Sequence, residues 1–293
     1  MKHPSPPLLE YESNFTSQCG EDGIIDYALK QLPSTNRWCV DVGAWDGKYL
    51  SNTYTPIERL GFSAVLIEVD KDRFSDLKRT YASRPDVVLV NRLVGFENPD
   101  SLDNILAETS IPLDFDFLSI DVDGNDYHIW DSLVKFRPKI VVIEFNPTMP
   151  NDVDFVQARD IRVSAGSSLA ALYRLARTKD YRLIHATAWN AIFVDSKYFS
   201  LFNIVDDDPA ALRANMSFVT YMFQTYDGKI HIEGNKRLLW HNVPFGASTL
   251  QVIPRVVRQY PPLFSLYQRI CWRLYVCYLA VKGFFTPNRA ADL

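Results

Sequence analysis

The chain has 293 residues, with 31 Lys and Arg against 35 Asp and Glu, for a formal net charge of -4; 47% of it is hydrophobic and 23% charged. That balance excludes a disordered chain, because there is apolar surface enough to offset chain entropy. Four cysteines (Cys19, Cys39, Cys271, Cys277) are too few and too scattered for a disulfide scaffold, and the lack of a C-x-x-C pair excludes zinc-ribbon and thioredoxin-type sites.

Met1 to Pro7 holds three prolines and no apolar core, so no secretory signal is expected and a reducing, cytoplasmic location is the default. The sequons at Asn14 and Asn215 are then chance matches. From Ser17 to Gly23 a polar run leads into Ile24–Leu29, which reads as a helix laid against a sheet.

From residue 38 onward apolar runs alternate with helical patterns. Strands are predicted at Trp38–Val42, Ser63–Glu68, Val87–Val90, Phe115–Asp121, Lys139–Phe145, Tyr181–His185 and Ala191–Val194. They are short and rich in β-branched residues, as buried strands are. Helices are predicted over Asp70–Tyr81, Pro99–Glu108 and Ser167–Thr178. The alternation gives an α/β class with a mostly parallel sheet and helices on both faces. Ligands of such sheets bind at the carboxyl ends of the strands.

Two strand ends carry chemistry. The first strand runs through Asp41 into a turn with Gly43 and Gly47, where glycine permits close ligand approach and positive φ. Trp45 stands where a dinucleotide fingerprint needs its middle glycine, so a bridging pyrophosphate is disfavoured. Asp41 could hold an ammonium group and the turn's amides a carboxylate, a pair that S-adenosylmethionine possesses. Glu68 ends the second strand, where a carboxylate can accept both ribose hydroxyls.

The fourth strand ends in Asp121, Asp123, Asn125 and Asp126, and the fifth in Glu144 and Asn146. Adjacent strands would bring Asp121, Asp123, Glu144 and Asn146 around one pocket mouth. Carboxylates that close cannot all stay ionised and unpaired, so either one holds a proton and serves as acid or base, or a cation such as Mg²⁺ sits among them. On the cation reading the ligands are Asp121, Glu144 and Asn146. An EF-hand loop fails on spacing, because Asp126 and Ser132 stand where Gly and Glu are required. Asp121-Val122-Asp123-Gly124-Asn125 also resembles the nucleophile motif of metal-dependent haloacid-dehalogenase phosphatases, a weaker alternative. A plain helix cap is the simplest alternative for these acids. His128, His185, His231 and His241 show no metal spacing.

With these residues in view, the chain resembles the FkbM-type S-adenosylmethionine-dependent methyltransferases. The matching pieces are Ser17–Asp22, Asp41–Gly47, Leu50–Thr53, Leu66–Glu68, Ile120–Tyr127, Val142–Asn146 and Gly166–Leu172, in family order over residues 17 to 195. The resemblance implies a Rossmann-like class I methyltransferase fold whose final strand, near residues 190 to 195, is antiparallel. It implies cofactor contacts at Asp41, Gly43, Gly47, Ser51 and Glu68. It also implies a small-molecule or glycan acceptor whose hydroxyl is methylated: a sugar, a glycolipid or a secondary metabolite. Asp121 and Asp123 are then the candidate catalytic carboxylates. Trp45 and Asp46 depart from the commoner family pattern. A non-catalytic, methyltransferase-like binding module is the alternative. Nucleic acid is not an expected partner. The expected organisation is a helical preamble over 1–36, the Rossmann-like domain over 37–200 and an extension over 201–293.

The extension has its own signature. The 58 residues between Glu233 and Asp292 carry +8 and no acid, whereas the first 233 carry 23 bases and 34 acids, or -11. Leu263, Leu266, Ile270, Leu274 and Cys277 recur at helical spacing within Leu263–Phe285, interrupted by Arg269, Arg273 and Lys282. The run is too broken to span a bilayer. It suits either an ordinary helix packed on the core or a helix lying peripherally on an anionic membrane.

Overall fold

The computed structural model describes residues 6–283. They fall into two compact units, divided between Ser217 and Phe218.

The first unit is built on a seven-stranded sheet of order β3-β2-β1-β4-β5-β7-β6. Its strands are β1 (Trp38–Val42), β2 (Ser63–Ile67), β3 (Val87–Val90), β4 (Phe117–Ile120), β5 (Ile140–Glu144), β6 (Tyr181–Ala186) and β7 (Asn190–Asp195). All neighbours from β3 to β5 are parallel, and β7 alone runs antiparallel to both β5 and β6. Every residue of β4 and β7 is buried, so the sheet is covered on both faces.

Helix α1 (Glu21–Gln31) precedes β1, and five helices lie between the strands: α2 (Tyr54–Leu60), α3 (Lys71–Thr80), α4 (Leu102–Ala107), α5 (Asp126–Ser132) and α6 (Leu169–Thr178). Two of them start on side-chain caps, α3 on Asp70 and α6 on Ser168. Ile24, Ile25, Ala28 and Leu29 of α1 join the same core as the sheet. The described part of the preamble, from residue 6 to 36, is therefore part of this unit. So are the 3-10 turn at Ser196–Phe202 and the short helix α7 (Pro209–Leu212), which contact β6. The boundary expected after residue 200 accordingly falls after 217.

In the second unit β8 (Thr220–Gln224) pairs antiparallel with β9 (Ile230–Gly234), and β10 (Arg237–Leu238) with β11 (Val243–Pro244). A short helix α8 (Ala247–Leu250) and a final helix α9 (Leu266–Val281) follow. The end of the expected amphipathic run, Phe284–Phe285, lies outside the described residues. Among the described residues no helix is long and apolar enough to cross a membrane.

Candidate functional site

The carboxyl ends of β1, β2 and β4 frame a cavity of about 280 Å³, lined by Gly43, Trp45, Glu68, Asp70, Leu93, Asp121, Asp123, Asn125 and Ile161 among others. That size is at the small end for small-molecule sites. Glu68 is fixed at its floor. The Trp45 amide donates to one carboxylate oxygen at 2.8 Å and the Asp70 amide to the other at 2.7 Å. Each oxygen keeps acceptor capacity toward the cavity. Asn125 lines the same wall; its Nδ2 donates to the Val163 carbonyl at 3.1 Å, while its buried Oδ1 has no partner.

The glycines of the β1 turn act differently from the sequence expectation. Gly43 has a φ of +90°, and a Cβ there would run into the carbonyl oxygen of Asp121. What approaches it closely is thus the neighbouring strand end. At Gly47 a Cβ would lie 2.5 Å from the side chains of Leu77 and Tyr81, and Gly47 does not line the cavity. Trp45, half exposed, projects from the turn with the Arg73 guanidinium 4.2 Å over its ring.

Neither Asp41 nor Ser51 lines the cavity, and both are buried. Thr53 Oγ1 donates to Asp41 at 2.6 Å. The amides of Thr53 and Tyr54 donate to Ser51 Oγ at 3.2 and 3.1 Å, closing the turn that starts α2. Burial raises the Asp41 carboxyl to about 6. Of the five expected cofactor residues, only Gly43 and Glu68 reach the cavity surface; Asp41 and Ser51 shape the turn beside it. Thr53, which links those two, stands in the sequence only as the end of the Leu50–Thr53 piece, with no role assigned to it.

The second centre joins β4 to β5. Carboxylate oxygens of Asp121, Asp123 and Glu144 all lie within 4.8 Å of one another. Asp126 clamps the loop beneath them, accepting from the amides of Val122 and Gly124, each at 2.9 Å. Burial raises Asp121 to about 6 and Asp126 to about 7. Glu144 is pushed well above the usual carboxylate range, by burial first and then by the charge of Asp121. Glu144 is therefore the member of the cluster most disposed to hold a proton, with Asp121 as its hydrogen-bond partner.

Asn146 does not join them. Its Nδ2 donates to the Ala165 carbonyl at 2.9 Å, and its Oδ1 accepts from the Thr148 amide and hydroxyl at 3.0 and 2.6 Å. The third member of the cluster is Asp123 instead. Sequence reasoning also assigned no role to Glu21. It is fully buried and accepts from Thr187 Oγ1 at 2.6 Å and Asn190 Nδ2 at 3.2 Å, which fastens the Ser17–Asp22 motif to β7 opposite Glu144. Within the Asp206–Asp208 run, Asp207 pairs with Arg177 and Arg182, and Asp208 caps α7.

These buried carboxyls fix how stability depends on pH. A group raised from 3.8 to about 6 favours the folded state while protonated, and that contribution is lost as pH rises through its folded value. Asp86 and Asp154, lowered by Arg84 and Arg174, act oppositely but only below the usual carboxylate range. Acidifying the ligand-free protein from about pH 7.5 to about pH 5 should therefore raise its unfolding free energy, by about 3 kcal/mol from Asp41 and Asp121 alone. A melting temperature that falls over this window contradicts the assignment.

A parallel sheet of this strand order, closed by an antiparallel β7, defines the class I methyltransferase fold. Within it, residues 98–182 match the family model described as the methyltransferase FkbM domain. That is the family the motifs resemble, and its cofactor is S-adenosylmethionine. No curated protein matches the chain. Among solved structures, the citrinin polyketide synthase CMeT domain overlaps 60% of this chain and 51% of its own, at 11% identity and a TM-score of 0.41. This chain thus spans about half the length of that one. The N-terminal domain of EvdMO1, in the presence of SAH and D-fucose, overlaps 62% of this chain and 84% of its own, at 11% identity and a TM-score of 0.42. The N-terminal domain of human METTL16 overlaps 60% and 68%, at 14% identity and a TM-score of 0.41. These overlaps are loose, and the assignment rests on the family match and the strand order.

Proposed function

We propose that this chain is an O-methyltransferase acting on a hydroxyl of a sugar, a glycolipid or a secondary metabolite. The observation that carries the reading is the Asp121–Asp123–Glu144 cluster, two of whose members share a cavity wall with Gly43 and Glu68.

The wall suits the cofactor chemically. Glu68 and the unpartnered Oδ1 of Asn125 are acceptors, matching the hydroxyl and amino donors of S-adenosylmethionine. When bound, the cofactor supplies an already activated methyl group. Glu68 and Asn125 would hold its donors, and Trp45 would cover the open side of the turn. What remains for the chain is to align the acceptor hydroxyl and to take its proton. Asp123, the exposed member of the cluster, is the base in this reading. Asp121 orients it, and a proton held on Glu144 would favour the ionised form of Asp121. A divalent cation held by Asp121, Asp123 and Glu144 would do the same work by lowering the hydroxyl's pKa. Transfer that survives dialysis against EDTA would exclude it.

Isothermal titration tests the cofactor half. S-adenosylmethionine should bind and NAD should not, and Glu68→Ala should weaken binding by about 1–3 kcal/mol. Unchanged affinity in that variant removes Glu68 from the site, and no binding at all favours the non-catalytic module. Labelled methyl transfer to a panel of sugar hydroxyls tests the acceptor half; a product methylated on carbon or nitrogen overturns it.

A further inference from the structure

Helix α9 is complete without a partner surface. Ser265 and Gln268 form a reciprocal capping box at its start, and none of its 16 residues is buried. One side does pack within its unit: Trp272, Tyr275, Val276 and Leu279 are half-buried, and Tyr275 Oη donates to the Val252 carbonyl at 2.5 Å. The opposite side is apolar as well, and uncovered. Leu266, Ile270, Leu274 and Val281 are 77%, 51%, 67% and 88% exposed. At helical spacing these four fall in one sector, with Tyr267 and Tyr278 along its edge. Arg269 and Arg273 border the sector on one side and Lys282 on the other. From residue 234 to 283 the sequence holds seven bases and no acid.

We propose that α9 seats this chain on an anionic bilayer surface, its Leu266–Ile270–Leu274–Val281 face at the headgroup boundary and its flanking bases on lipid phosphates. A large exposed apolar face marks an interaction site. Three occupants compete for it. Insertion across the bilayer fails, because the helix is too short and carries two arginines. A second copy of the chain would set this acid-free surface against itself, base facing base, as a two-fold interface requires. An anionic lipid surface answers both the apolar face and the charge.

The test is co-sedimentation of the full chain with vesicles of phosphatidylcholine alone and of phosphatidylcholine mixed with phosphatidylglycerol. The chain should bind the mixed vesicles at low salt and leave them at high salt. Ile270→Glu with Leu274→Glu should weaken binding by about tenfold or more. Arg269→Gln with Arg273→Gln should weaken it by about 30-fold, near fivefold for each base. All four positions are exposed, so both variants should keep the parent's melting temperature and its affinity for S-adenosylmethionine. Binding equal to the parent in both variants overturns the proposal. So does failure to bind mixed vesicles, or self-association of the parent chain that the Ile270→Glu, Leu274→Glu variant loses.

Discussion

Asp123→Asn should lower methyl transfer by about a hundredfold or more, with S-adenosylmethionine bound almost as tightly as before. The substitution is mild for the fold. Asp123 is exposed and has a φ of +55°, a left-handed conformation that Asn adopts as readily as Asp. Asn keeps the shape and the hydrogen-bonding reach but cannot take a proton. Asp121 is a poorer place for the same test, because it lies under Glu144 and against the Gly43 turn. Steady-state transfer and cofactor titration on one preparation separate the outcomes. A large fall in kcat with intact binding places Asp123 at the reacting hydroxyl. An unchanged rate would remove Asp123 from the chemistry.

The seven strands were legible because each is an apolar run bounded by polar punctuation. The run read as Phe115–Asp121 shortens to Phe117–Ile120; just before it Asp116 forms a buried ion pair with Lys139 at 2.5 Å and accepts from the Arg37 amide at 2.6 Å. Helix α2 has no counterpart among the predicted helices, and α5 is anticipated only as the helix that the acidic motif would cap. Each has seven residues; one holds Pro56 in its first turn, and the other begins inside the acidic motif. Within the site, contiguous motifs were readable and long-range pairings were not. Glu21 depends on Thr187 and Asn190, which no local pattern connects to it. Asn146 is expected at the pocket mouth because it closely follows the fifth strand's end, but β5 stops at Glu144 and its side chain turns to Ala165 and Thr148, which no local pattern connects to it. Along α9 the apolar stripe was visible in the sequence. Whether anything covered it was not, since coverage depends on packing.

Gly43→Ala should cost about 4 kcal/mol or more, enough to leave little folded protein at ordinary temperatures. Two penalties add. The φ of +90° is unfavourable for any residue with a Cβ, by about 1–3 kcal/mol. The new Cβ would also enter the Asp121 carbonyl, and a clash with backbone between paired strands cannot be relieved by a side-chain rotation. Gly61→Ala supplies the control: its φ is +69°, and nothing lies within 4 Å of the added Cβ, so it should lose only the conformational part. Urea unfolding of the two variants beside the parent measures the difference. Equal losses would mean that the strand ends can part, and that the wall joining Asp121 to the cofactor cavity is compliant. A much larger loss at Gly43 would mean that one residue without a side chain sets the distance between the acid cluster and the cavity. The glycine would then serve catalysis through packing, by fixing where the acceptor's base stands relative to the methyl donor.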